Sequence, residues 1–303
     1  MADAELGDAV ALLAEARQIV DAELERCANR LAVEVSGPLG EALAYALRSP
    51  GKRVRPALVL AAYRAAGGCS DAIAGIATAV EIVHTYSLVH DDLPCMDDDD
   101  MRRGRPTIHR AFDPAVAARV GYLLVPVAAE ELASAAEALQ LSPAATGALA
   151  VELFEAGGIR GMVGGQWLDL EAEHRRLTMA ELTTVHRGKT GALIRAAAVL
   201  GGIAAGADAS VLKALRGFGE EIGLAFQVAD DVLDATSTTE ELGKPAGRDA
   251  ALAKSTYVSV LGVDAARREA VHHEQRAVAE LADVSLVRES LVALARYIVM
   301  RPS

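Results

Sequence analysis

Apolar residues recur three and four positions apart, with charges between them, from Leu6 to Val35, as in DAVALLAEARQIVDAELERC. This spacing predicts an amphipathic helix packed on the body of the protein. Ser70 and Asp71 stand where they could cap a helix running to about His90. Thr178 and Glu181 have capping-box spacing before a helix that Gly188 interrupts or ends, and Asp208 or Ser210 opens another through Asp234. The Gly-, Pro- and Asp-containing punctuations RSPGKRVRP, RAAGGCSD and ELGKPAGRD separate such segments, with no long low-complexity linker and no repeat of solenoid period. The expectation is a single all-α domain spanning residues 1–303.

Composition sharpens that reading. Of 303 residues, 52% are hydrophobic but only 4% aromatic, a balance that favours closely packed helices over a β-rich fold. Cys27, Cys69 and Cys95 form an odd set without CxxC spacing, which argues against a disulfide framework or zinc site and fits a reducing cytoplasm. The N-terminal MADAELGDAV carries acids where a secretory signal carries bases, and the longest apolar candidate, Ala196 to Ala207, is too short to span a bilayer. A soluble, cytoplasmic protein is expected. The net charge of -12 excludes generic nucleic-acid binding, so a phosphate ligand would need metal ions or placed Lys and Arg side chains.

Two aspartate clusters supply candidate chemistry. The first, HDDLPCMDDDDMRRGRP, places six aspartates between Asp91 and Asp100. Carboxylates crowded this way raise one another's pKa unless cations neutralise them, and hard oxygens suit Mg²⁺. Pro94 removes a backbone donor, so the helix should end or kink between Asp92 and Asp97 and turn both ends to one point. The second, FQVADDVLDATS, offers Asp230, Asp231 and Asp234 on a helical pattern flanked by Phe226, Val228, Val232 and Leu233; Gln227 precedes Asp230 by a turn on what should be the same side. Mg²⁺ takes few protein carboxylates and completes its shell with substrate oxygens, so two facing clusters suggest a diphosphate held between them. Taken alone, either cluster reads equally well as a solvated acidic turn.

The chain resembles the trans-prenyl diphosphate synthase family. GKRVRP, VEIVHTYSLVHDDLPCMDDDDMRRGRPT, GMVGGQWLDLEAE, HRGKTGALIRAA, FQVADDVLD, LGKPAGRDAALAKSTY and ALARYIV occur in the family's order from about Gly51 to the C-terminus. The resemblance implies an α-helical isoprenoid-synthase fold around a deep central cavity, usually as a homodimer. It implies three Mg²⁺ held by Asp91, Asp97 and Asp230 and less directly by Asp92, Asp231 and Asp234. Arg102, Lys189 and Lys244 would contact the allylic diphosphate, with Thr190 and Gln227 beside it. Lys52, Arg55, His84 and Arg103 would cradle isopentenyl diphosphate, and Lys254 would approach the mouth. The catalytic set it implies is Asp91, Asp97, Asp230, Lys189 and Arg102.

Residue chemistry fits these roles, since two diphosphates need more positive charge than metal ions supply and Arg offers a bidentate fork. His84 precedes Asp91 by seven positions, about two turns, which places it on the same face one level deeper. In isolation, His84 reads as a core residue, Lys52, Arg53 and Arg55 as a solvated loop, Gln166 and Asp169 as helix-packing groups, and Cys95 as a spacer. Tyr86 and Ser87 lie at the level expected for the floor of the product cavity. An aromatic at Tyr86 together with the Pro94-Cys95 insertion resembles bacterial farnesyl diphosphate synthases and favours a fifteen-carbon product, with twenty-carbon geranylgeranyl diphosphate as the alternative. The chain departs from the family at Tyr122, where an Asp is usual, at Trp167, where a small residue is usual, and at Pro50, where a second Gly is usual. A class I terpene cyclase would lack the GKRVRP segment and replace the second cluster with another motif, and a non-catalytic partner subunit would lose aspartates.

Overall fold

Close approach of helices built from small residues sets the architecture. In this computed structural model, residues 2–173, 175–236 and 255–300 are described. The helices are α1 (Ala2–Glu34), α2 (Pro38–Leu47), α3 (Val54–Ala65), α4 (Ile73–Asp91), α5 (Ile108–Ala111), α6 (Pro114–Ala138), α7 (Pro143–Gly157), α8 (Met162–Glu171), α9 (Met179–His186), α10 (Ala192–Ala204), α11 (Ala209–Thr236), α12 (Tyr257–Leu261), α13 (Val263–Glu280) and α14 (Glu289–Met300). The only strands among the described residues, β1 (Met101–Arg102) and β2 (Arg105–Pro106), form one antiparallel hairpin. The all-α expectation therefore holds apart from this small ribbon.

Helix α10 is buried along nearly its whole length, as an apolar helix without a polar face must be. It packs between α3 and α11, while α4 lies along α6 and α11 along α13. At Gly201 a side chain would sit 2.5 Å from the carbonyl of Val59 and 2.7 Å from the amide of Tyr63, so only glycine lets α10 approach α3 this closely. Ala and Leu from α1, α3, α4, α6 and α10 fill the main core. No helix among the described residues is long and apolar enough to cross a membrane.

Several helix ends fall where the residue pattern places them. Thr178 and Glu181 complete a reciprocal capping box on α9, and Asp208 accepts from the amides of Ser210 and Val211 at the start of α11. Gly188 interrupts its helix without ending it: residues Arg187–Gly191 form a π-helical turn that leads from α9 into α10. The expected cap at Ser70 or Asp71 is displaced: α4 starts after Ala72, which has no side-chain cap, while Ser70 Oγ accepts the Ala72 amide at 3.3 Å just ahead of it and the Ser70 and Asp71 carbonyls accept the amides of Ile73 and Ala74.

Candidate active site

Helix α4 delivers the first acidic cluster. It ends at Asp91 as Pro94 demands, and the chain then loops back so that the Asp97 amide donates to the Asp91 carbonyl at 2.9 Å. This brings Asp97 beside Asp91 despite five intervening residues. The rest of the run serves the loop. Asp99 is buried and accepts from Arg102 at 3.1 Å, Asp100 accepts from Arg110 at 2.5 Å, and Thr107 donates to the Asp99 carbonyl at 2.7 Å. Asp92 is buried and accepts from Arg102 Nε at 2.8 Å.

The hairpin turns through Arg103 and Gly104, both with positive φ (52° and 75°), the geometry a two-residue hairpin prefers. Its tip is tied to the segment between α2 and α3, because Arg103 donates to the Pro50 carbonyl at 2.5 Å. Arg102 and Arg103 are thereby held near Lys52 and Arg55. His84 faces this group from α4. Burial together with the surrounding Arg55, Arg103, Arg102 and Arg53 charges holds its imidazole well below the ordinary pKa, and hence neutral. Arg55 is deeply enclosed, and burial lowers its pKa to about 10 against the opposing pull of Glu81 and Asp230.

The second cluster lies on α11. Asp231 and Asp234 are buried, whereas Asp230 is half-buried. Gln227 donates to Asp231, its i,i+4 partner, at 2.9 Å. Asp231 also accepts the amide of Tyr257 at 2.8 Å, anchoring α12.

Lys189 stands between the clusters. Presented by the π-helical turn, it donates to Asp169 of α8 at 2.6 Å and lies within electrostatic reach of Asp91 and Asp97. Burial alone would depress its pKa, but these three carboxylates outweigh it and the net shift is upward. The adjacent Thr190 donates to Gln227 at 2.8 Å. Thus the α4 terminus, α8, the π turn and α11 meet around one ammonium and its neighbour. Asp91 is pushed up to about 6, first by burial and then by Asp97 and Asp92, with Lys189 and Arg102 opposing.

These carboxylates fit a hard divalent cation. Among the described residues no three acidic, imidazole or thiol groups stand close enough together to hold a metal ion by themselves. Mg²⁺ draws much of its shell from water and phosphate oxygens, so it can be bound through one or two carboxylates. Lys52 is exposed beside the site, while Lys244 and Lys254 lie outside the described residues. Tyr86 is half-buried and edge-on to His90 with ring centroids 4.9 Å apart, and Ser87 donates to the His84 carbonyl.

Residues 37–292 match the family model for polyprenyl synthetase. The chain belongs to the polyprenyl synthetase family. The match begins upstream of Gly51, where the quoted motifs start. A farnesyl diphosphate synthase of Escherichia coli is 44% identical over 87% of this chain and 89% of its own length. The apo crystal structure of an FPP/GFPP synthase from Zymomonas mobilis superposes with a TM-score of 0.82 at 36% identity, covering 96% of this chain and 99% of that one. A Helicobacter pylori geranyltransferase complexed with magnesium and isoprenyl diphosphate has a TM-score of 0.75 at 33% identity, covering 94% and 95% of the two chains.

Within this polyprenyl synthetase, some site neighbours escape a reading of residue types. Arg53 reads as part of a solvated loop but is 4% exposed, bonded to Asp21 and Glu81. Glu81 did leave a signal, a lone charge in the apolar run ATAVEIV, which requires a buried counter-charge. His186 and Tyr257 left none; their rings stack 5.6 Å apart behind Asp231.

Proposed function

We propose that this polyprenyl synthetase condenses isopentenyl diphosphate with an allylic diphosphate, dimethylallyl or geranyl, and that its main product is farnesyl diphosphate. The observation that carries the reading is the position of Lys189, bonded to Asp169, facing Asp91 and Asp97, and followed by Thr190 on Gln227. Two carboxylate clusters and an ammonium around one locus form a receptor for a diphosphate accompanied by metal.

Asp91, Asp97 and Asp230, backed by Asp92, Asp231 and Asp234, would hold three Mg²⁺, which when bound supply Lewis-acid neutralisation of the leaving diphosphate. Arg102 and Lys189 donate to the departing oxygens, with Lys244 completing the set, and stabilise charge as the allylic C–O bond breaks. For that, Arg102 exchanges part of its contact with Asp92, and Lys189 part of its contact with Asp169, for phosphate oxygens. Lys52, Arg55, His84 and Arg103 orient isopentenyl diphosphate so that its alkene forms the new C–C bond; Lys254, outside the described residues, is the further cation that the family resemblance implies. Neutral His84 donates a hydrogen bond without adding charge to an arginine-rich wall. The proton lost from the adduct passes to the released diphosphate, and no protein base is required. Thr190 and Gln227, bonded to each other, would lie beside the allylic diphosphate.

The test is turnover of isopentenyl diphosphate with each allylic primer by the purified chain. Asp91→Ala and Asp230→Ala should each cut kcat by at least about a hundredfold while leaving the helical CD spectrum unchanged. Unchanged turnover in either variant rules out the assignment. Consumption of allylic diphosphate without isopentenyl diphosphate would instead mark a cyclase.

A further inference from the structure

Three consecutive carbonyls in the segment joining α2 to α3 each accept from an arginine. Arg105 reaches the Arg48 carbonyl at 3.1 Å, Arg53 the Ser49 carbonyl at 2.8 Å and Arg103 the Pro50 carbonyl at 2.5 Å. Arg103 and Arg105 come from the hairpin, whereas Arg53 belongs to the segment it holds.

Arg53 is unusual in two respects. Its φ of 52° lies in the left-handed region, uncommon for a residue with a side chain. Its guanidinium is also buried, which requires partners for both its charge and its donors. Those partners come from two helices. Nε donates to Asp21 of α1 at 2.8 Å, and Nη1 donates to Glu81 of α4 at 2.6 Å. All three nitrogens are thus committed to protein groups. Gly51 completes the arrangement, because a Cβ there would lie 2.8 Å from Nη1 of both Arg53 and Arg103.

The segment needs such a clamp. Its outer side borders a cleft of about 260 Å³ lined by Asp21, Arg48, Ser49, Pro50 and Arg53 as well as Leu24 and Leu47, so on that side it faces a cleft rather than close-packed neighbours. Lys52 immediately precedes Arg53, and Arg55 follows in the first turn of α3.

We infer that Arg53 is a positioning residue: clamped by Asp21 and Glu81, it fixes the backbone of residues 49–54 so that Lys52 and Arg55 present their charges to the diphosphate of isopentenyl diphosphate, while binding no substrate itself. The inference rests on the isopentenyl diphosphate site of the proposed function. An arginine is required because a lysine ammonium cannot reach two carboxylates and a carbonyl with fixed planar geometry.

The experiment pairs steady-state kinetics with amide hydrogen exchange on Arg53→Lys and Asp21→Asn. In Arg53→Lys, KM for isopentenyl diphosphate should rise about tenfold or more, with KM for the allylic substrate within about twofold. Exchange of the amides of residue 49 and residues 51–54 should accelerate about tenfold while α10 keeps its protection. Asp21→Asn, which removes the charge of one anchor at a partly exposed site and leaves an amide oxygen as acceptor, should move both readouts in the same direction by about threefold. Unchanged KM and exchange overturn the inference, as do equal rises in both KM values or loss of protection in α10, which would mark a general structural role. If Arg53→Lys fails to fold, Asp21→Asn decides by the same criteria. Failure of the synthase reading would appear separately, as absence of isopentenyl diphosphate consumption by the unmodified chain, and the exchange readout stands without turnover.

Discussion

Cys27 of α1 is fully buried, and its thiol is pushed up to about 11, chiefly by burial and then by Glu131. Cys69 and Cys95 are exposed. Because the thiolate is the reactive form, a thiol reagent at pH 8 should titrate two of the three cysteines quickly and the third only after denaturation. Three fast equivalents would contradict this packing. The folded chain holds the Cys27 proton more tightly than the unfolded chain does. Between about pH 9 and pH 11 the unfolded state therefore binds fewer protons, and stability falls as pH rises through that window. Tyr86 carries a second prediction. Its ring rests edge-on to His90, and His90 fills the space beside Gly121, where a Cβ would lie 1.9 Å from the imidazole. If this wall closes the product cavity, Tyr86→Ala should lengthen the product by at least one isoprene unit, read by chromatography; an unchanged length would remove Tyr86 as the floor. Asp91 and Asp97 were legible as a crowded acidic pattern that calls for cations, whereas His84, which alone reads as a core residue, and Lys189 entered through the family resemblance. Arg53 was not legible, since its burial depends on carboxylates 32 and 28 positions away.

Elements follow local rules until a backbone approach overrides them. The capping box of α9, the Asp208 start of α11 and the end of α4 before Pro94 were legible because each depends on residues within one turn. The π-helical turn Arg187–Gly191 was not, because it arises where α8 presses against it. There a Cβ on Gly165 would lie 2.0 Å from the Lys189 amide nitrogen and 2.6 Å from the Gly188 carbonyl carbon. Backbone atoms cannot swing aside as a side-chain tip can. Gly165→Ala should therefore displace the turn that carries Lys189 and Thr190, costing about 2–3 kcal/mol of stability as an overpacked contact and at least about tenfold in kcat. Thermal melting and kinetics on this variant test both. A wild-type Tm with wild-type kcat would mean that α8 can retreat without moving Lys189.

At the scale of the molecule, a chain of net charge -12 must bind a strongly anionic ligand, and local arrangement resolves the conflict. Lys189 and Arg102 lie within electrostatic reach of Asp91, and Arg55 within that of Asp230, so cations and carboxylates are interleaved around the site and neither a diphosphate nor a divalent ion alone finds a matched surface. Pyrophosphate lacking metal meets the carboxylates, and metal lacking pyrophosphate leaves its own shell largely to water. Together they neutralise each other and both sets of side chains. Mg²⁺ plus inorganic pyrophosphate should therefore raise Tm by more than the sum of the two separate shifts. With ligand at about a hundredfold over Kd, linkage gives about 2.7 kcal/mol, which for 303 residues at about 2.1 cal/mol/K of unfolding entropy per residue corresponds to about 4 °C. The single-domain reading adds that the shift should appear in one cooperative transition, and the homodimer reading that light scattering should return twice the chain mass before and after ligand is added. Additive or absent shifts would break the link between the two aspartate clusters, because clusters that share no ligand have no reason to respond together.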